Sequence, residues 1–371
     1  MILRIEDLRG PCATILSAVD SSELSQITET LELVGEGTTL YMSVTNKEYY
    51  VRVAIDVAEE LTFRATVNAT LFLRLISQIT TDTVEFSIVN NALVIVGNGK
   101  YKLPLIYEGE ELLHLPEIAL DNVTAEFDIP YDILSSIMVS NGKQLSLGTI
   151  TRPVQKFFYV DEKGALTFTS GACVNKFTLA QPVKMLLNQR LVKLFKLFKG
   201  ANVHFRMSQD KLSEGIEQTR VGFQAGNVLV TAALFCDSSM MDSVPVAAIR
   251  SRAENEYEFG VQLNQSDLIE TLSRLSLFTG KDLSAYMYVD FCGDHVEFAD
   301  SKRENKECLN YKILAPELDA GYSAILDLVE IKAVIEACDT EFVSLKFGDH
   351  QAILVCNDNI TNVVPEIHSV A

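Results

Sequence analysis

The densest set of side chains able to bind a metal or move a proton lies between Asp290 and Asp300. It comprises Asp290, Asp294, His295, Glu297 and Asp300. A metal site needs three or four such groups converging on one point. Here the spacing puts them on alternating strand positions and a turn, so they diverge and read as a solvated face. Gly171-Ala172-Cys173-Val174-Asn175-Lys176 lacks the Gly-Lys-Ser/Thr ending of a phosphate loop. The five histidines sit in five separate contexts, without HExxH or spaced cysteine partners. Neither GxSxG nor GxGxxG occurs, and no serine or cysteine has an obvious base beside it. These absences predict a chain without catalysis, metal or cofactor.

What remains is charge chemistry. Arg190, Lys193 and Lys196 fall about 140–180° from the Leu/Phe side of an apolar-periodic stretch on a helical wheel. Two readings stand: a solvated amphipathic helix, or a phosphate-facing surface. The net charge of −19 argues against simple nucleic-acid binding. An acidic body can still carry a local basic lining, so the placement of charge matters more than its sum. Arg74 and Arg274 hold outward positions on helices related to this one, Arg9 lies outward on another, and Lys332 flanks the apolar face of a third. Glu330 and Glu336 dilute the charge there.

The elements that must position these residues repeat. Over Thr66 to Ile106, Asn68 caps a helix with Leu71, Phe72, Leu75, Ile76 and Ile79 on one face. The period then becomes two, with Val84, Phe86 and Ile88 alternating. Turns at Asn90-Asn91 and Gly97-Asn98-Gly99 complete a three-strand meander. The unit recurs at a helix over Leu186 to Phe198, closed by Gly200, and again from Asp327, with Ile331, Val334, Ile335 and Cys338 inward. The copies lie about 120 to 140 residues apart. Each copy also opens with a strand, a helix and strands.

In the first, Ile2 to Ile5 is a strand. A helix with Leu8, Cys12, Ile15, Leu16 and Val19 inward carries Pro11 in its first turn. Thr30–Val34, Thr39–Val44 and Tyr49–Ile55 are strands, and Glu108 to Pro116 is a linker. In the second, Pro130 starts a helix that Asn141-Gly142 ends, and Lys211 to Gln218 is an exposed loop. In the third, Asn264 or Ser266 caps a helix that Gly280 stops, and Cys308 to Ile313 is a strand. The fold class is α+β in three tandem domains, 1–125, 126–250 and 251–371.

The chain has 371 residues, 48% hydrophobic and 22% charged, enough for two or three domains. No apolar run reaches the roughly 18 residues of a membrane helix. The start lacks a basic and apolar leader pattern. Seven cysteines without a CxxC pair fit reduced core thiols and a cytoplasmic setting.

This plan resembles the bacterial-type DNA polymerase sliding clamp, the β subunit of the replicase. The likeness spans the chain. It is carried by Asn46-Lys47-Glu48-Tyr49-Tyr50-Val51-Arg52-Val53, Leu71-Phe72-Leu73-Arg74, Gly99-Lys100-Tyr101-Lys102-Leu103-Pro104-Leu105, Ser266 to Phe278, and Asn362-Val363-Val364-Pro365. The resemblance implies clamp domains that are each a duplicated helix-plus-antiparallel-sheet unit. A head-to-tail homodimer closes as a ring, with helices lining the hole and sheets outside. The ring encircles duplex DNA without reading sequence, and it tethers a polymerase after a separate clamp-loader ATPase opens it.

Lys156, Phe157 and Phe158 match the family's basic-aromatic segment near DNA. The DNA-facing set expected on this basis is Arg9, Arg74, Arg152, Lys156, Arg190, Lys193, Lys196, Arg274 and Lys332. Tyr101 and Leu103 match one side of the subunit interface, Leu277 and Phe278 the other. The hydrophobic groove for partner peptides, polymerase and loader alike, corresponds to Tyr159, Val174, Met241, Val246, Val363 and Val364. Ser170 to Val174 stands where the family has Asp-Gly-His-Arg-Leu, and Glu366 to Ala371 replaces its Met-Arg-Leu ending. Such divergence would suit a phage-encoded clamp. The alternatives are a phage structural repeat protein, a clamp relative of different oligomeric state, and a hydrolase whose triad is not legible in sequence.

Overall fold

Asn68 does start a helix: its side chain accepts the Leu71 N–H at 2.9 Å. Asn188, Asn264 and Asp327 cap later helices in the same way, each satisfying an N–H that helix geometry leaves free. The computed structural model describes residues 1–20, 25–213, 216–234, 238–278, 285–315 and 321–368. Its α-helices are α1 (Ile5–Leu16), α2 (Ala69–Gln78), α3 (Tyr131–Ser136), α4 (Gly142–Leu145), α5 (Gln189–Lys193), α6 (Ser238–Asp242), α7 (Val246–Ala253), α8 (Gln265–Leu275) and α9 (Leu328–Glu336). Turns of 3-10 helix at Leu194–Phe198 and Ser276–Phe278 extend α5 and α8, and a π turn at Ile137–Asn141 joins α3 to α4.

The chain forms two compact units, one of Met1–Tyr131 with Lys193–Asp237, the other of Asp132–Val192 with Ser238–Ala371. In the first, Ile2–Arg4, Thr83–Val89, Ala92–Val96 and Lys100–Pro104 make a four-stranded sheet in that order. A six-stranded sheet runs Thr30–Thr45, Tyr49–Asn68, Val228–Leu234, Ile216–Ala225, Asn202–Ser213, Val123–Pro130. Helices α1 and α2 pack together over this framework, and Phe72 meets Phe86 edge-on at 5.7 Å. In the second unit, a nine-stranded sheet runs Lys184–Asn188, Phe157–Asp161, Gly164–Phe168, Ala172–Lys176, Ile360–Pro365, Ala352–Cys356, Phe342–Phe347, Phe259–Asn264, Lys312–Ala315. A four-stranded sheet orders Lys306–Asn310, His295–Ala299, Tyr286–Cys292 and Tyr322–Asp327. Helices α8 and α9 cover one core here, with Phe291 stacked on Phe347 at 3.9 Å. No helix among the described residues is long and apolar enough to cross a membrane.

The antiparallel meander, the Asn90-Asn91 turn with both residues at positive φ, and the α9 face all form as the periodicity predicts. Other expectations are corrected. Leu71 is 54% exposed and Leu73 buried, because α2 rolls to put Ala69, Phe72, Leu73 and Ile76 inward. Leu16 is likewise exposed. Pro11 is inside α1, not in its first turn, since the helix starts at Ile5 with Glu6 and Asp7 favouring its N-terminus. Thr30 to Thr45 is one strand, irregular at Gly37, and its partner runs unbroken to Asn68.

The helix expected at Pro130 does form, but it opens at Tyr131: Pro130 itself ends an edge strand, where a missing N–H is tolerated. Asn141-Gly142 does not stop the next helix: Gly142 stays helical, and the π turn places Asn141 inside, donating to the Cys173 carbonyl at 3.1 Å. Leu186 and Leu187 belong to a strand paired with Phe157–Asp161 and buried on both faces, so the helix there begins only at Gln189. Short apolar runs buried on both sides are ambiguous between the two states.

The described parts of Lys211 to Gln218 continue a long hairpin rather than a loop. Glu108 to Pro116 contains a small hairpin, and His114 and the Leu115 N–H both reach buried Glu32. Cys308 to Ile313 is two strands in different sheets, divided at Tyr311. Gly280 lies outside the described residues.

Candidate partner pocket and cationic surfaces

Helix α7 follows Pro245 and carries Arg250 and Arg252 in its last turn, where cations complement the helix dipole. Both arginines turn to carboxylates of the same unit. Arg250 grips Asp161 through two bonds of 2.6 and 2.8 Å. Arg252 grips Asp349 at 2.5 and 3.2 Å and lies over the Tyr257 ring. Such forked pairs fix direction as well as distance. They seat α7 beside the strands Ala172–Lys176 and Ile360–Pro365. Between them is a cavity of 240 Å³, walled by Phe168 to Ala172 on one side and by Pro245, Ala248, Ile249 and Arg252 on the other, together with Val363.

A polar frame holds the Thr169–Gly171 wall. Gln155, buried, donates to the Thr169 carbonyl at 3.2 Å and accepts from the Thr151 and Arg152 N–H groups at 2.8 Å. Gln144 donates to Thr169 Oγ1 at 3.1 Å, and the Ser170 hydroxyl donates to Glu330 at 3.3 Å. Burial, with the nearby Asp327 charge, pushes the Glu330 carboxyl above the usual range, and the bonds from Gln144, Ser170 and the Gly171 N–H offset this only in part. At Asp161 and Asp349 burial pushes the same way but loses to the paired arginines and to backbone N–H donors, so both carboxyls sit below the usual range. Burial and the neighbouring Asp161 push the Tyr159 phenol up to about 12.

Of the six expected groove residues, Val363 alone lines this cavity. Tyr159, Val174 and Val364 are buried in the sheet, while Met241 on α6 and Val246 on α7 are half-exposed. Phe168, Pro245, Ala248 and Ile249 were missed in sequence. The available signal was a proline followed by the eight helix-compatible residues of α7.

The cations divide by surroundings. Arg74, Arg152, Lys156, Lys193 and Lys196 are exposed, and among the described residues no carboxylate pairs with them. The stretch after α5 is 3-10, so residues three apart eclipse and Lys193 and Lys196 share a side. Arg190 is half-buried and engaged. Arg9 donates to the Ile79 carbonyl at 2.9 Å. Arg274 is bound to Glu307 at 2.7 Å and Glu270 at 3.4 Å, and Lys332 lies 3.8 Å from Glu336. Phe158, beside Lys156, is in the core.

Lys100–Pro104 is the outermost strand of its sheet, with Tyr101 half-buried and Leu103 in the core. Leu277 and Phe278 are 79% and 56% exposed, unusual for side chains of their size. In the acidic group each side chain has its own partner: Asp290 with Arg303, Asp294 with His295, Glu297 with Lys306, and Asp300 with Asn305.

The DNA polymerase sliding clamp of Bacillus subtilis superposes with a TM-score of 0.80 at 15% identity, covering 100% of this chain and 99% of that one. The chain has the sliding-clamp fold. DNA polymerase III subunit beta of Borrelia burgdorferi gives 0.78 at 12% identity, and that of Thermotoga maritima 0.76 at 12%, each covering 100% of this chain and 99% of its own. No family model matches the sequence, and neither does any curated protein sequence. In the sliding-clamp fold of this chain, these exposed cations lie on α2, at the end of α5 and on the turn after it, and on the 151–156 turn, whereas the apolar cavity lies beside α7.

Proposed function

We propose that the chain is a DNA sliding clamp: a non-catalytic, cytoplasmic ring that encircles duplex DNA and tethers a replicative polymerase. Two copies close head to tail. Lys100–Pro104 supplies an unpaired edge, and Leu277 and Phe278 supply the apolar surface that covers it. Domains 1–125, 126–250 and 251–371 each contribute helices to the inner wall. Arg74, Arg152, Lys156, Lys193 and Lys196 meet phosphates there, with smaller shares from Arg9, Arg190, Arg274 and Lys332. Phosphate contacts orient the ring without reading bases. Topological linkage, not tight contact, keeps it on DNA while it slides. The cavity beside α7 takes an apolar segment of the polymerase or of the clamp-loader ATPase.

What supports this reading is agreement with several clamps over the whole length of the chain. The test is retention on nicked circular DNA before and after linearisation, with light scattering for mass. Loss of protein on linearisation and a dimer mass are expected. Equal retention on both substrates removes the ring mechanism.

A further inference from the structure

Thr169, Ser170 and Gly171 form the turn between the strands Gly164–Phe168 and Ala172–Lys176, and this turn is one wall of the cavity beside α7. Its own backbone supplies a bond from the Thr169 N–H to the Gly171 carbonyl at 2.8 Å. The remaining support comes from behind. Gln144 and Gln155 brace Thr169. Glu330 braces the other two residues: its carboxylate accepts the Ser170 hydroxyl at 3.3 Å, and it accepts the Gly171 N–H. Glu330 itself does not line the cavity. It stands in the first turn of α9, where Asp327 accepts its N–H at 2.9 Å, on a helix packed into the core around Phe291 and Phe347. Gly171 is pressed between this carboxylate and the neighbouring strand. A Cβ there would stand 2.6 Å from Glu330 Oε1 and 2.4 Å from the carbonyl of Val363, a residue of the cavity. Glu330 is buried, and no ion pair holds it among the described residues. A neutral side chain would cost less in that place, but a carboxamide offers one acceptor oxygen where the carboxylate offers two.

We infer that Glu330 is the positioning residue of the α7 cavity: from behind the wall it holds Ser170 and Gly171 against the Val363 strand and so fixes the width open to a docked side chain. This rests on reading the cavity as a docking site. The physical ground is that a binding wall is only as well placed as the groups that support it, and a turn held by a post on a helix cannot drift.

The probes are phenol and the larger indole. Binding is followed on the Ile249 methyl signal of the full-length protein, together with hydrogen exchange at the Gly171 amide. Glu330→Gln keeps the length of the side chain but offers one oxygen to two donors. Gly171 exchange should quicken about tenfold or more, which reports release of the wall. Indole should weaken about threefold and phenol about tenfold, because a wall free to move suits the smaller ring least. A side chain that only stabilised the fold would lower the melting temperature and leave the ratio of the two affinities alone. An unchanged ratio in Glu330→Gln therefore overturns the inference. If that variant does not fold, Glu330→Asp replaces it: the charge stays, the carboxylate withdraws by one methylene, and an unchanged ratio again overturns the inference. If neither probe moves Ile249 in the wild type, the docking reading of the cavity falls first and the inference with it.

Discussion

Two sets of outward helix cations carry the same formal charge in different company. Arg74, Lys193 and Lys196, in the first unit, have no carboxylate partner among the described residues. Arg274 and Lys332, in the second, are held by Glu307, Glu270 and Glu336, and Glu336 also meets Lys143 at 3.5 Å. A phosphate approaching Lys193 displaces only water and counterions, whereas at Arg274 it must displace a carboxylate already in a forked bond. Counting lysines and arginines along the sequence therefore overstates the second unit. Two of its arginines, Arg250 and Arg252, are turned to carboxylates of the fold and hold α7, and with it one side of the cavity, while Arg152 and Lys156 of the same unit stay exposed and unpaired among the described residues.

The comparison can be broken or sharpened by experiment. The largest effect is expected from Lys193→Glu with Lys196→Glu. Protein retained on nicked circles should drop about a hundredfold at moderate salt, and the salt slope should fall by about two, one per lost phosphate contact. Unchanged retention would mean these lysines do not face DNA. Next comes Arg250→Ala, which leaves Asp161 largely buried without its counter-ion. A loss of about 2–3 kcal/mol in urea unfolding is expected, at the low end for a buried pair because Arg250 keeps some exposure. A loss under about 0.5 kcal/mol would reduce the pair to an ordinary surface contact.

Acid stability should follow the same pairs. Asp161 and Asp349 have folded values below their unfolded ones, so their stabilisation is present above the unfolded range and is lost as pH falls through the folded value. Glu330 has the opposite sign and gains as pH falls through its raised value. Melting should thus be nearly level from neutrality into the mildly acidic range and then fall. Arg250→Ala should flatten that fall, and an unaltered acid limb would separate Asp161 from it. The smallest effect is expected at the paired cation. Arg274→Glu should change retention less than threefold, and Glu307→Gln, which frees Arg274, should raise it about twofold. A loss at Arg274 as large as at the lysine pair would erase the distinction between the units.

Much of the architecture was legible in the residues. Apolar spacing located α2, α8 and α9, and Asn68, Asn264 and Asp327 announced their starts. Strand alternation gave the meander after α2. The failures share a cause. Leu186 and Leu187 were read at helical spacing, yet strand pairing with Phe157–Asp161 buries them on both faces. Tyr311 splits a continuous apolar pattern because its flanks pair with different sheets. In both, a distant partner overrides a local period.

The sequence by itself determined the repeated helix-and-strand plan, the outward cations and the absence of familiar catalytic motifs, because all of these depend on spacing along one segment. Only the tertiary structure decided which cations keep their charge free, that α7 closes a cavity, and that Glu330 lies behind Ser170 and Gly171. Glu330 and Ser170 are 160 positions apart. An ion pair or a hydrogen bond is set by which side chains the folded sheets bring within about 3 Å, and no periodicity encodes that distance.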